Sequence, residues 1–462
     1  MRYHITLLLA KTISFLMRLC GRRATHLPGS IAIRLCPDFL KHVGRPKTII
    51  AVTGTNGKTT VCNLLIDALK ENGYDLMSNS FGSNINAGVA SALLHNCTIF
   101  GRVKKQLAVL EVDERSSLLI YPYIRPDYIL CTNLLRDSIK RNAHVEFIQY
   151  IINSAMQDNA KLILNGDDIL TCALGSEKQQ KRFFGIARMP GDRDVPSPYA
   201  VRDITCCPVC DAKLKYEFVR YNHIGKVYCE NCGFRSPDCD YLVTKIDEEN
   251  GAVTVLHNGV STDYKMVNNN IVNIYNMVAV IAVLQEFGVK PEGIQRAFEK
   301  AHVVKSRYFS ESVCGKELVM QLAKGYNPIA CSRVFDYIAK GDEKKAIMFN
   351  LDDRDDAKSS SEKITWMYDC DYSSLTDPSI TQILVGGKRR YDQLVRLLLA
   401  GVPREKIHMT EFEVDTPSLI DLEQADKIFI LYDIYTTEMG EIVHDRLKAK
   451  IIAESKKAGE KA

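Results

Sequence analysis

The chain lacks a strong charge bias and a long apolar segment. Its formal net charge is only +4 over 462 residues, which by itself does not indicate nucleic-acid binding. The apolar N-terminal stretch is interrupted by Lys11 and Arg18, so it falls short of the roughly 20 residues that a membrane-spanning helix needs. It also lacks a clear signal-peptide cleavage site. Residues 1–46 are therefore expected to form a helical segment packed on its own domain; the alternative is a basic helix resting on a membrane surface.

The chain also lacks the cysteine pattern of a secreted disulfide scaffold. Most of its 15 cysteines lie in apolar runs, which is typical of reduced, buried thiols in a cytoplasmic protein. None lies in a G-x-C-x-G turn, the thiol counterpart of the serine nucleophile elbow. The length and the 46% apolar content indicate an ordinary globular protein of two or three domains.

The segment AVTGTNGKTTVCN, residues 51–63, has the pattern of a phosphate-binding loop. A strand-like apolar run precedes it and a run with helical spacing follows it, which is the context that a phosphate site requires. Backbone amides would cradle the phosphates, Lys58 would add a positive charge, and the hydroxyl of Thr59 or Thr60 could bind Mg²⁺. Val52 stands where the full signature has a glycine. The residues expected to bind ATP are Gly54, Thr55, Asn56, Gly57, Lys58, Thr59 and Thr60.

Predicted strands alternate with helices along the rest of the chain, and acidic or polar residues close nearly every strand. Examples are QLAVLEVDE, PDYILCTN and AKLILNGDD, and later KKAIMFNLDD, ITQILVGG and KIFILYDIY. This pattern predicts a doubly wound α/β protein with its site at the carboxyl ends of the strands. Glu111, Asp113 and Glu114 end one strand, and we expect at least one to bind Mg²⁺, Glu111 first. The alternative is that some of them cap a helix.

Four cysteines in two C-x-x-C pairs predict a metal site. Cys207 and Cys210 form the first pair and Cys229 and Cys232 the second, at the spacing of a four-cysteine zinc ribbon inserted at residues 203–241. Four thiolates leave no position open for water, so the zinc is expected to be structural. Cys206 and Cys239 flank the ribbon and are expected to be bystanders; the alternative is that either replaces one of the four ligands. His223 is expected to be a surface residue.

The form TGTNGKTT resembles the Mur ligase family, the ATP-dependent enzymes that build the peptidoglycan stem peptide. The resemblance continues in FGSN (81–84), CTNLLRD (131–137), NGDD (165–168), NIYNMVAVIAV (273–283) and KSRYF (305–309). It implies that Asn84 belongs to the ATP site and that Asn273 and Asn276 lie against the adenine. Arg307 would lie at the hinge before the C-terminal domain and also serve ATP binding.

The resemblance also implies a domain arrangement. A central P-loop ATPase domain would span residues 47–305 and carry the ribbon, and a Rossmann-like α/β domain would span residues 306–462. Too few residues precede the loop for the family's N-terminal uridine-nucleotide domain. The substrate is therefore not expected to be held by a UDP group.

Within the family, a four-cysteine ribbon without a uridine-nucleotide domain resembles the ligase subunits of lipid II isoglutaminyl synthases, which pair with the glutaminase GatD. The resemblance implies that Lys58 and Glu111 serve a catalytic site. There ATP would convert the α-carboxyl of D-glutamate in the lipid II stem peptide into an acyl phosphate. Ammonia from a GatD-like subunit would then give D-isoglutamine. The residues leave open whether the acceptor is lipid II or its soluble precursor.

An acidic segment in the C-terminal half completes the resemblance. In the family, an Asp of a DGRD motif reaches the glutaminase and completes its Cys–His pair, which implies this role for Asp355, or less directly for Asp352 or Asp369. Asp353 replaces the glycine of the motif, and a Ser/Lys-rich insertion at 356–364 follows it. The alternative is a solvated acidic loop.

Two other functions share parts of this pattern. A stand-alone amino-acid ligase, similar to folylpolyglutamate synthase, has the same loop but needs no partner. A zinc-ribbon ATPase could bind nucleic acid, but the weak net charge and the lack of a broad basic and aromatic patch argue against it. We therefore expect no nucleic-acid partner.

Overall fold

A computed structural model describes residues 2–80, 82–136, 144–196, 203–301, 308–323, 327–351, 364–433 and 436–459. Within them the chain forms two compact units, each with its own large sheet. The first lies within residues 2–301 and the second chiefly within residues 308–459.

The first unit is built on a nine-stranded sheet, with a separate hairpin of β7 and β8. In chain order the strands are β1 (Thr48–Thr53), β2 (Leu76–Ser78), β3 (Leu107–Glu111), β4 (Tyr128–Cys131), β5 (Lys161–Asn165), β6 (Lys181–Ile186), β7 (Lys215–Tyr221), β8 (Ile224–Tyr228), β9 (Tyr241–Asp247), β10 (Ala252–His257) and β11 (Val260–Lys265). The order across the sheet is β11-β10-β9-β6-β5-β4-β1-β3-β2. Within the described part of this sheet, the β9–β10 and β10–β11 pairs are antiparallel and the other pairs are parallel. Since β1 lies between β3 and β4, the carboxyl ends of three parallel strands meet at one edge.

Helices cover this sheet. They are α1 (Arg2–Leu19), α2 (Leu27–Leu35), α3 (Phe39–His42), α4 (Lys58–Glu71), α5 (Asn86–Asn96), α6 (Ser117–Ile124), α7 (Val145–Ala155), α8 (Ile169–Cys172), α9 (Ile271–Phe287) and α10 (Pro291–Lys300). Helix α9 is buried along most of its length, from Ile274 to Leu284, as expected for a helix that is apolar on all sides. Gly288 ends it with φ +101°, a left-handed conformation that glycine adopts at little cost.

The N-terminal segment is helical, in the form of α1, α2 and α3. Helix α1 buries Thr6, Leu7, Ala10 and Ser14 and packs on α2 and α5. Among the described helices, none combines the length and the apolar character needed to cross a membrane.

The second unit has a six-stranded sheet in the order β12-β13-β17-β14-β15-β16. The strands are β12 (Tyr308–Val313), β13 (Lys316–Leu322), β14 (Lys345–Asn350), β15 (Ile380–Val385), β16 (Ile407–Met409) and β17 (Lys427–Tyr432). The α-helices of this unit are α11 (Pro328–Ile338), α12 (Thr365–Asp369), α13 (Arg390–Leu399), α14 (Thr416–Leu419) and α15 (Thr437–Gly459). All pairs except β12–β13 are parallel. The six strands predicted from apolar runs are β3, β4, β5, β14, β15 and β17.

Candidate functional site

The predicted phosphate loop connects β1 to α4, and two of its residues can only be glycine. Gly54 has φ +121° and Gly57 has φ +90°, in the region that side chains disfavour. A Cβ on Gly54 would collide with the hydroxyl of Thr132, and one on Gly57 with the amide oxygen of Asn276. The loop is therefore packed closely between the end of β4 and helix α9.

The segment after β4 fixes the first half of the loop. The amide of Thr55 donates to the carbonyl of Asn133 at 2.8 Å, and the amide of Asn56 donates to the Asn133 side chain at 3.0 Å. The Thr55 hydroxyl donates to the carbonyl of Leu135 at 3.0 Å, and the Thr132 hydroxyl donates to the carbonyl of Asn56 at 2.7 Å. The sequence shows Thr132 and Asn133 only as part of the motif CTNLLRD, because no local pattern shows which distant loop a side chain will hold.

The second half of the loop opens helix α4. The first backbone bond of the helix runs from the amide of Val61 to the carbonyl of Gly57 at 2.9 Å. The amides of residues 58–60 therefore carry no bond within the helix, which suits them to an anion. Thr59 is exposed and Thr60 is partly exposed on this first turn.

Lys58 sits among backbone oxygens and three carboxylates. Its Nζ donates to the carbonyls of Gly54 and Thr55 and to Glu114 Oε1, the last at 3.2 Å. Burial lowers the pKa of Lys58, but Glu114, Glu111 and Asp113 outweigh it and raise the pKa overall. Burial raises the pKa of Glu114, and Asp113 adds to this despite Lys58. One ammonium therefore faces an excess of negative charge, an electrostatic setting that suits a divalent cation.

Glu111 ends β3 and is held by two asparagines. Its Oε1 accepts from the side-chain amide of Asn84 at 3.1 Å, and its backbone exchanges two bonds with the side chain of Asn79, at 2.8 and 2.9 Å. Asp113 Oδ1 instead accepts from the amides of Arg115 and Ser116. Asp113 thus shapes the turn before α6, whose N-cap residue is Ser116.

The remaining predicted residues are those of the ATP site on α9 and near residue 307, and the three acidic candidates for the partner's glutaminase site. Asn276 is buried beside Gly57, and its amide lies 3.5 Å from Asn273 Oδ1 one turn earlier on α9. Asp369 is the last residue of α12. The predicted residues that lie outside the described part of the chain are Arg307, Asp352 and Asp355.

The four predicted cysteines converge. Among the described residues they form one group, with all four Sγ atoms within 4.8 Å of one another. The Sγ atoms of Cys207 and Cys232 are 3.6 Å apart, and so are those of Cys210 and Cys229. Hydrogen bonds from Asn231 and from the backbone lower the pKa of the Cys210 thiol. At Cys232 a backbone bond lowers the pKa, but burial and the neighbouring thiols outweigh it and raise the pKa overall. Of these two thiols, Cys210 more readily forms the thiolate that binds metal.

The two cysteine pairs are built alike. After Cys210, Asp211 adopts φ +59°, and after Cys232, Gly233 adopts φ +74°. In each pair the amide of this residue donates to the carbonyl of the first cysteine at 3.0 Å. Two equivalent tight turns therefore aim the four thiols at one point, the arrangement of a tetrahedral metal site.

The hairpin that carries this cluster is docked by a buried histidine. His223 lies between β7 and β8 and is only 3% exposed, so the prediction of a surface residue is wrong. Its Nε2 lies 3.1 Å from Asp168 Oδ1. Burial lowers its pKa, but the bond to Asp168 and the charge of that carboxylate raise it overall. The prediction failed because the partner lies 55 positions away.

Further charged contacts hold the same hairpin. Arg220 Nη2 lies 2.6 Å from Asp192 Oδ2, and Lys226 Nζ lies 3.3 Å from Asp167 Oδ1. Tyr275 on α9 donates to Asp167 Oδ2 at 2.7 Å. Asp168 Oδ2 also accepts from the amide of Leu134 at 2.6 Å, in the segment that holds the phosphate loop. A continuous chain of contacts thus links the hairpin to that loop.

The chain combines a glycine loop that opens a helix, acidic residues after the strands and two sheets flanked by helices, and these features are shared by the Mur ligase class of proteins. The family described as Mur ligase middle domain matches residues 52–194. The pseudomurein peptide ligase type C of Methanothermus fervidus has a similar fold, with a TM-score of 0.61 at 20% identity over 90% of this chain and 80% of that one. MurF of Thermotoga maritima, solved in complex with ADP, has a TM-score of 0.57 at 13% identity over 92% and 85%.

Curated relatives narrow the family. The family described as MurT ligase C-terminal matches residues 322–437. The MurT subunit of the lipid II isoglutaminyl synthase (glutamine-hydrolyzing) of Streptococcus pneumoniae is 30% identical over 92% of this chain and 93% of its own length. The corresponding subunit of Staphylococcus aureus is 28% identical over 87% and 89%. The chain belongs to the MurT family, and the resemblance predicted from the motifs is confirmed.

Proposed function

We propose that this chain is the ligase subunit of a lipid II isoglutaminyl synthase. ATP would phosphorylate the α-carboxyl of D-glutamate in the lipid II stem peptide, releasing ADP. Ammonia would attack the acyl phosphate and release phosphate, leaving the amide of D-isoglutamine. The observation that carries the proposal is the position of Lys58 at the start of α4, where it donates to the loop carbonyls and to Glu114. Relatives named as MurT subunits of lipid II isoglutaminyl synthases support it.

The residues of the loop fit a nucleotide. The backbone amides of residues 58–60 and the Lys58 ammonium would bind the phosphates, and the close approach at Gly54 and Gly57 would hold the loop in shape. Asn273 and Asn276 would lie against the adenine. The Lys58 ammonium would compensate the negative charge that develops on the phosphate oxygens while the phosphoryl group is transferred. Such charge compensation in the transition state lowers the barrier.

Two metal ions fit the side chains available. Glu111 and Thr59 offer the oxygen ligands that Mg²⁺ prefers, and Asn84 orients the Glu111 carboxylate. Bound Mg²⁺ would supply further neutralisation of phosphate charge. The four thiols of Cys207, Cys210, Cys229 and Cys232 suit zinc, which would stabilise the hairpin and leave no position for catalysis.

The ammonia would come from a separate GatD-like glutaminase subunit. The chain has no cysteine on a G-x-C-x-G turn to hydrolyse glutamine itself. We propose that Asp355 completes the Cys–His pair of that subunit, with Asp352 and Asp369 as alternatives. The complex would work in the cytoplasm, on a precursor at the inner face of the membrane.

The nitrogen donor tests this function. The chain, purified with a co-expressed GatD-like glutaminase, should release ADP in repeated turnovers only when two components are present. These are the precursor and a nitrogen donor, which can be glutamine or ammonium. A stand-alone amino-acid ligase would instead release ADP with an amino acid as the donor and without the glutaminase. That second result would contradict the proposed function.

A further inference from the structure

Helix α1 turns apolar side chains outward. Six large apolar residues on it are exposed, among them Phe15 at 62% and Leu19 at 68%. At about 3.6 residues per turn, all six lie within an arc of about 120°. The opposite side of the helix is the side buried on its own unit. The six residues of this outward face are Ile5, Leu8, Leu9, Phe15, Leu16 and Leu19.

Other exposed apolar residues lie beside the helix. The guanidinium of Arg2 donates to the carbonyl of Leu35 at 2.6 Å, and Leu35 is itself exposed. The loop holding Ile99 and the highly exposed Phe100 continues to Gly101, which lies against the Tyr3 hydroxyl. Such a set of neighbouring apolar residues is unusual on a surface that meets only water.

The charged residues of the N-terminal stretch that forms α1 and α2 have one sign. The first 37 residues contain no Asp or Glu but include six Lys and Arg residues. Lys11 is used internally, where it donates to the carbonyls of Leu94 and Cys97. The remaining five are exposed, and they are Arg2, Arg18, Arg22, Arg23 and Arg34.

We propose that the outward face of α1 docks on the surface of an anionic phospholipid bilayer. An apolar arc bordered by arginines is the pattern of a helix that lies in the headgroup region, with its apolar side chains in the acyl boundary. The arginines would pair with anionic headgroups, a choice of partner favoured by the absence of Asp and Glu from the first 37 residues. Because one side of α1 packs on the protein, the helix would hold the whole first unit against the membrane rather than insert into it.

Flotation of the full chain with vesicles tests the proposal without ATP or precursor, so its outcome is independent of the proposed ligase activity. Vesicles of phosphatidylcholine containing about 30% phosphatidylglycerol should bind the chain at least roughly tenfold more tightly than phosphatidylcholine alone, and added salt should weaken binding. The double variant Arg22→Gln, Arg23→Gln should lose roughly tenfold of this preference.

A matched pair of variants locates the face. The double variant Phe15→Glu, Leu16→Glu should bind anionic vesicles at least roughly tenfold more weakly. The control Leu398→Glu, Leu399→Glu changes two similarly exposed neighbours on α13 and should bind as the unmodified chain does. Thermal unfolding of each variant checks that it folds.

Three results would overturn the proposal. The unmodified chain could fail to float with either vesicle, or bind both equally. Both double glutamate variants could bind alike. Size-exclusion chromatography could show a dimer that the Phe15→Glu, Leu16→Glu change dissociates, which would assign the face to a second copy of the chain.

Discussion

Lys58 is held at the mouth of its loop from both sides. The carbonyls of Gly54 and Thr55 fix it within the loop, and Glu114 holds it from the turn that follows β3. An ammonium with several acceptors keeps its proton and its position, so it can compensate phosphate charge without first reorganising.

Replacing Lys58 by alanine should therefore lower ATP-dependent amidation by roughly a hundredfold or more. The chain should still fold, because what is lost is charge compensation rather than packing in the apolar core, and a melting curve checks this. Lys70→Ala, an exposed lysine at the other end of α4, is the control and should keep full activity. Normal amidation in Lys58→Ala would contradict the assigned role.

At the scale of elements, the hairpin of β7 and β8 carries the cysteine cluster and docks on Asp167 and Asp168. Its stability should depend on both features, because a short two-stranded hairpin is marginal by itself. Metal binding and docking can be tested separately, since His223 takes no part in the cysteine group.

Each chain should hold one zinc ion that Cys229→Ala abolishes. Because metal binding at such sites contributes directly to folding, the variant should show a reduced soluble yield. Cys206→Ala, next to the cluster but outside it, should keep both its zinc and its yield. The zinc content of each purified protein is the measurement. A soluble Cys229→Ala protein that still holds one zinc ion per chain would refute the assignment.

The raised pKa of His223 predicts a pH-dependent stability. A histidine whose folded pKa lies above its ordinary 6.5 stabilises the fold fully below that value and loses this contribution as the pH rises through the folded pKa. His223→Gln should therefore cost about 1.5–3 kcal/mol in acid, the range for a hydrogen bond to a charged group.

Urea unfolding at several pH values measures this loss. The difference between His223→Gln and the unmodified chain should shrink as the pH rises. His26→Gln, an exposed histidine, should show no such trend. A difference that stays constant or grows with pH would show that His223 is not held as the cation.

At the scale of the whole molecule, the strands could be predicted from the sequence, whereas hydrogen bonds between segments distant in the sequence could not. Buried parallel strands such as β5 and β14 appear as short apolar runs ended by polar residues, so they can be recognised locally. The phosphate loop was recognised for the same reason. The bonds of Asn133 to Thr55 and Asn56, and of Asn79 to Glu111, join distant segments, and no local pattern specifies them.

For the N-terminal helix, too, the sequence predicts the element but not its contacts. Its pattern indicates an amphipathic helix but does not show which side is buried. The structure buries the side of Leu7 and Ala10 and exposes that of Phe15 and Leu19. Both sides carry apolar residues, so only the packing on α2 and α5 could separate them.

Asp355→Asn should affect a reaction of the partner subunit. A carboxylate bonded to a catalytic histidine holds its tautomer and stabilises the imidazolium, so glutamine hydrolysis by the complex should fall by about 10⁴-fold. Complex formation and ATP binding should remain, and concentrated ammonium should restore part of the amidation. If ammonium fails while glutamine hydrolysis is intact, Asp355 belongs to the ligase site instead.

The central claim is that this chain joins glutamine-derived nitrogen to a peptidoglycan precursor at the expense of ATP. Mass analysis of lipid II, incubated with the copurified complex, ATP and glutamine labelled at its amide nitrogen, tests it most directly. We expect labelled nitrogen in an amide at the α-carboxyl carbon of D-glutamate, and no labelled product without ATP or with Lys58→Ala. A precursor that stays unamidated under these conditions, or that gains an amino acid instead, would contradict the proposed function.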